Sequence, residues 1–178
     1  RAGRATWVGA ALFTLGVAVG TLAIVSPLDE LSDRLLAAHM SQHLLLGDVV
    51  PLLLVLGVRG PMTVFLLPRA LLVRLAHKRR VVALVAQLLR PRVAFAAWFC
   101  SSLAWHLPAA YDLAVAHPAV HALEHVTFVF AGVLVWAQII DPMRRGQLSE
   151  GARAAFAAAV LVAGMGLGEV LVVLHPIY

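Results

Sequence analysis

Residues 120–140 read VHALEHVTFVFAGVLVWAQII, and this stretch decides the fold. It contains no Lys, Arg or Asp. About 20 apolar residues suffice for a helix to cross the hydrocarbon core of a bilayer. Three ionisable side chains, His121, Glu124 and His125, sit together near its start. Ionisable groups inside a span are costly and mark candidate functional sites.

Working outward, four further stretches have the same character. They are roughly Thr6–Val25, Leu35–Val58, Val93–Leu107 and Ala152–Leu174. The third is short, and its start can lie further back, near Leu88. Composition agrees: of 178 residues 62% are hydrophobic and 13% charged, with a mean hydropathy of +0.91. A soluble domain is about 45–50% apolar and about 25% charged. A soluble globule, a disordered chain and a nucleic-acid-binding protein are all excluded, despite a pI near 10.7. Between the second and third stretches, Pro68–Arg92 mixes Leu and Val with the basic run His77-Lys78-Arg79-Arg80. It reads as one or two interfacial amphipathic helices with arginines toward the headgroups.

The expected fold is therefore all-α: a polytopic transmembrane helix bundle of about five spans, with an interfacial amphipathic segment between the second and third. Residues 1–178 form a single transmembrane helical domain. The chain starts at Arg1 rather than Met and ends at Tyr178 without a polar tail, so segments missing at either end are expected. One cysteine leaves no internal disulfide and no cysteine-based metal cluster. Two GxxxG patterns, Gly16–Gly20 and Gly164–Gly168, allow close helix approach.

The cations give a topology. Every Lys and Arg except Arg34 falls before the first span, between the second and third, or between the fourth and fifth. Arg34 lies opposite, beside Asp29, Glu30 and Asp33. By the positive-inside rule the N-terminus is cytoplasmic. The loops Ser26–Arg34 and His106–Ala119, and the terminal His175–Tyr178, then face outward.

That orientation makes the histidines informative. His77 belongs to the basic segment and reads as a surface residue. The other seven, His39, His43, His106, His117, His121, His125 and His175, all map to the outer side. His39 and His43 are four residues apart, so they share a helix face about 6 Å apart along the axis. His117, His121 and His125 repeat that spacing. Glu169, in the fifth span, lies at a depth comparable with His43 and His125. Imidazole suits Cu, Zn, Fe and Ni, and carboxylate adds a hard donor. The candidate metal ligands are His39, His43, His106, His121, His125, Glu124 and Glu169. Glu124 serves either as a ligand or as an acceptor orienting an imidazole. Glu169 is either a ligand or a buried hydrogen-bond partner. His117 and His175 read as interfacial residues. Asp48, about 140° round the helix from His43, is expected outside the site. Cys100, Met40 and Met165 read as packing residues, and the tryptophans as packing and interfacial anchors.

Four pieces of the chain resemble one family. They are Ser26-Pro27-Leu28-Asp29 leading into His39-Met40-Ser41-Gln42-His43; Trp105-His106-Leu107-Pro108 followed by Tyr111-Asp112; His117-Pro118 with His121, Glu124 and His125; and the Gly-rich last span closing in Pro176-Ile177-Tyr178. Together they resemble the CtaG family of caa-type cytochrome oxidase assembly factors, from the first span to the last residue. The resemblance implies a multispan protein of the bacterial plasma membrane. It implies a role in maturing a haem–copper oxidase by handling copper, with an oxidase subunit as partner. The motif histidines it implies are His39, His43, His106, His121 and His125. Members of the family commonly continue past Pro-x-Tyr with a further span, and this chain does not.

The leading expectation is a copper-handling factor in the lipid bilayer that is not an enzyme. A zinc enzyme is the alternative, because His121-x-x-Glu124-His125 matches the H-x-x-E-H string of zinc peptidases. A haem-binding electron-transfer protein is a further alternative. The clustering of histidines at one end, with a carboxylate among them, favours a compact ion over a macrocycle.

Overall fold

A computed structural model describes residues 2–32, 35–58, 74, 77–142 and 147–173. Among them the chain is helical and strandless, an all-α bundle. Helix α1 (Ala2–Val25) is followed by a short α2 (Pro27–Ser32). Next come α3 (Leu36–Leu44) and α4 (Val50–Gly57), joined by a π-helical turn at Leu45–Val49. Beyond them lie α5 (Arg79–Leu88), α6 (Pro91–Trp105), α7 (Pro108–Ala116), α8 (Pro118–Ile140) and α9 (Glu150–Val173). Four helical stretches are long and apolar enough to cross a membrane: Trp7–Val25, Ala37–Gly57, Pro118–Ile140 and Glu150–Leu171.

A fifth is available as a broken span. α5 and α6 pass the same test together but bend by 71° at their junction. Arg90 is extended there, with φ −77° and ψ 133°, because it precedes Pro91. Pro91 then opens α6, where its missing N–H costs nothing. α6 alone has 15 residues, about 22 Å, short of a ~30 Å hydrocarbon core. α5 opens on Arg79-Arg80 and leaves Val82, Leu84 and Val85 exposed, an amphipathic helix as the sequence suggested. The rest of that expected interfacial segment, residues 68–73 and 75–76, lies outside the described residues.

The connections expected to be plain loops contain helices. Pro27 and Pro108 each start one, α2 and α7. The second span is also not one continuous α-helix. Pro51 has no N–H to give the Gly47 carbonyl, and the ladder slips just before it. The Val50 N–H instead reaches Leu45 O, five residues back, which makes the π turn.

α8 is the organising helix, packed against α4, the π turn, α6 and α7, with α9 on its flank. α1 packs along α4. Ala23, Leu46 and Val50 form one buried apolar cluster, with Val19, Leu45, Leu54 and Val129 around it, and Phe128, Ala131, Leu134 and Val135 bury the inner face of α8. Two close approaches depend on glycine. A Cβ on Gly57 would lie 2.7 Å from the Phe13 backbone of α1. A Cβ on Gly132 of α8 would collide with the Gly47 carbonyl and with Pro51 Cγ. Of the two GxxxG patterns, Gly16 and Gly20 do face α4, at Leu53, Leu54 and Val50. Gly164 faces Trp98 of α6, whereas Gly168 faces open space.

Candidate metal centre

Two parallel helices present one short string each. α3 carries His39-x-x-Gln42-His43 and α8 carries His121-x-x-Glu124-His125. On each helix the two imidazoles lie one turn apart and steeply inclined to each other, with ring centroids 4.2 Å apart in both cases. Both helices run inward from the same end, so the strings meet rung by rung. His39 lies parallel to His121 at 5.5 Å, and His43 faces His125 at 5.7 Å. α6 ends beside them and brings His106 to 6.2 Å from His43. Tyr111 of α7 covers His39, with its ring 5.5 Å away. Phe128, one turn below His125, closes the floor against His43 at 4.7 Å.

Four of the expected ligands converge most tightly. One donor atom from each of His39, His43, His121 and Glu124 lies within 4.8 Å of all the others. Glu124 Oε1 is 3.4 Å from His43 Nε2. Glu124 is fully buried, His39, His43 and His125 nearly so, and His121 half-buried. Several of their polar atoms have no hydrogen-bond partner: both nitrogens of His43, Nε2 of His121 and of His125, and Oε2 of Glu124. Each such buried polar atom costs about 1–3 kcal/mol. Side chains from two helices thus aim unsatisfied lone pairs at one another, which a coordinated cation would satisfy. The donor set is nitrogen and oxygen. Cys100 and Met165 are exposed elsewhere.

The remaining candidates sort clearly. His106 Nδ1 donates to Ser102 O at 2.7 Å, a bond that fixes the tautomer with Nε2 able to coordinate. Among the described residues Glu169 is exposed on α9 and is not one of the four converging donors. Asp48 and His117 are exposed, as is His77 in the basic segment. His175 lies outside the described residues.

Sequence reasoning missed the supports. Gln42 is fully buried, and its Nε2 donates to Ala23 O of α1 and to Asp29 Oδ1 of α2, both at 2.8 Å. It ties three elements together between the two histidines of α3. The repeated His-x-x-(Gln or Glu)-His string was a signal that could have marked it. Across the site, Trp105 Nε1 donates to Thr127 Oγ1 at 2.7 Å, and that hydroxyl donates to Glu124 O at 2.7 Å. This chain locks the end of α6, and so His106, to α8.

The whole chain, residues 1–178, matches the profile of the cytochrome c oxidase caa3 assembly factors (Caa3_CtaG). Searches of curated proteins and of solved structures each found no match. A helical membrane bundle with a His/Glu cluster able to hold a metal, matched from end to end, belongs to the Caa3_CtaG family of cytochrome c oxidase caa3 assembly factors.

Proposed function

We propose that the protein binds copper in the His/Glu cluster and passes it to a subunit of a haem–copper oxidase during assembly. The observation that carries this reading is the convergence of His39, His43, His121 and Glu124 within 4.8 Å, in a family of oxidase assembly factors. Imidazole and carboxylate donors suit copper, and copper is what an oxidase of this class must acquire. When bound, the ion supplies only its own charge and coordination preference. The protein's residues hold and release it. His43 and His125 provide buried nitrogens, Glu124 offsets charge, and half-buried His121 gives a side from which a partner can take over a ligand position.

This is a carrier rather than a catalyst. The H-x-x-E-H glutamate of a zinc peptidase must reach a water at an open metal position. Glu124 is instead fully buried against His43. Haem fits less well still, because donors of His39, His43, His121 and Glu124 crowd within 4.8 Å of one another, the arrangement of a compact ion's shell. The distribution of Lys and Arg supports a cytoplasmic N-terminus in a bacterial plasma membrane, with the cluster at the outer face.

The test is maturation in cells. With His39→Ala, His43→Ala or His125→Ala, the oxidase subunits should accumulate but lack copper. Normal copper content of the oxidase in all three variants would refute the reading.

A further inference from the structure

Asp48 is a carboxylate in the middle of a membrane-spanning stretch. The second span runs over Ala37–Gly57, so about 14–16 Å of helix separates Asp48 from either end. Asp48 also sits in the π turn Leu45–Val49, and such turns are frequent at functional sites. Ionisable side chains within a span almost always face the bundle interior or a water-filled cavity. Asp48 breaks this rule. Its neighbours take up the packing: Val50, Leu53, Leu54 and Gly57 meet α1, while Gly47 and Pro51 meet α8. Asp48 itself is exposed, and so are Ser41, Leu44 and Val49 beside it. Ser41, Leu44 and Asp48 follow one another at three- and four-residue spacing, which puts them on one face.

A carboxylate left against lipid tails is costly. The second span and the two spans packed along it, Trp7–Val25 and Pro118–Ile140, contain no Lys or Arg to offset it. A second copy of the chain does not help. A two-fold dimer brings the same patch against itself at the same depth, which sets Asp48 against Asp48, and like charges disfavour that contact. Charge complementarity therefore asks for a foreign helix with a basic side chain at mid-depth. The chain belongs to a family of oxidase assembly factors, and an oxidase is the source of such a helix. Asp48 is also five residues beyond His43, about 7–8 Å along the axis, so a helix docked there lies beside the metal cluster.

Resting on the reading of an oxidase subunit as partner, we infer that Ser41, Leu44, Asp48 and Val49 form an intramembrane docking face for a transmembrane helix of that subunit, held by a Lys or Arg that pairs with Asp48. Docking covers the carboxylate and sets the subunit alongside the helix that carries His39 and His43.

The test is photocrosslinking in membranes of cells that make the full chain together with the oxidase subunits. With Leu44 replaced by p-benzoylphenylalanine, the chain should crosslink to an oxidase subunit, within a span that holds a Lys or Arg at mid-depth. Adding Asp48→Leu should abolish that crosslink, and adding Asp48→Glu should keep it. Purified Asp48→Leu should unfold in detergent at a midpoint no lower than wild type, which separates lost docking from lost fold. A crosslink to a second copy, to residues 59–73 of the same chain, to lipid alone or to a span without a basic residue would overturn the docking face. So would an undiminished crosslink in Asp48→Leu, or a lower midpoint, which would give Asp48 a role inside its own fold. Copper in the same wild-type preparation is measured separately. Its absence would refute the copper reading and leave the docking face standing, and a missing crosslink with copper bound would do the reverse.

Discussion

Glu124 Oε1 lies 3.4 Å from Nε2 of His43, a carboxylate and an imidazole from different spans meeting inside the bundle. Glu124 therefore acts across the α3–α8 interface, not only within its own helix string. The Glu124→Gln variant keeps the shape and removes the charge. Copper affinity should fall roughly 10–100-fold, the usual cost of losing a partner of a metal-bound histidine. A chelator competition titration measures it, and an unchanged affinity would remove Glu124 from the site.

Gln42 holds the histidine helix in place through α1 and α2. Gln42→Ala strands the Ala23 carbonyl and the Asp29 carboxylate. The expected loss is about 1–3 kcal/mol of stability, read as a lower midpoint of thermal unfolding in detergent. A midpoint equal to wild type would mean that neither bond contributes.

Gly132 packs on the π turn, and Gly166 faces open space. Gly132→Ala should cost about 1–3 kcal/mol by overpacking, whereas Gly166→Ala should be neutral or slightly stabilising. Paired unfolding midpoints check this contrast. Equal effects at both positions would contradict the described contact between α8 and Gly47.

Trp105 donates to Thr127, which fixes the end of α6. Trp105→Phe keeps most of the ring volume and loses the donor. A stability loss of about 1 kcal/mol is expected, with weaker copper binding because His106 is the next residue. If copper binding in this variant matches the wild type, His106 is positioned by Ser102 alone.

Much of this was legible from residue order. Apolar stretches of membrane-spanning length located α1, α8 and α9 closely, because length and hydropathy depend on no partner. Four-residue spacing placed His39 with His43 and His121 with His125, because it is a property of the helix itself. The reading was weaker where a single residue redirects the backbone. Pro51 makes the π turn inside the second span. Pro27 and Pro108 turn expected loops into helices. Glu169 illustrates another limit: depth along a span can be counted from sequence, but the face turned to the bundle depends on what packs beside it. The role of Gln42 has a similar origin: the string repeat marks the residue, but its partners Ala23 and Asp29 come from elements that only the fold brings together.

The central claim is that this histidine cluster holds copper. Metal analysis with a visible spectrum, on the detergent-purified protein before and after copper loading, tests it most directly, with His43→Ala/His125→Ala as the control. The account predicts stoichiometric copper in the wild type, a marked loss in the control, and no Soret band. Copper retained in full by the control would contradict it, as would stoichiometric zinc or a haem spectrum in the wild type.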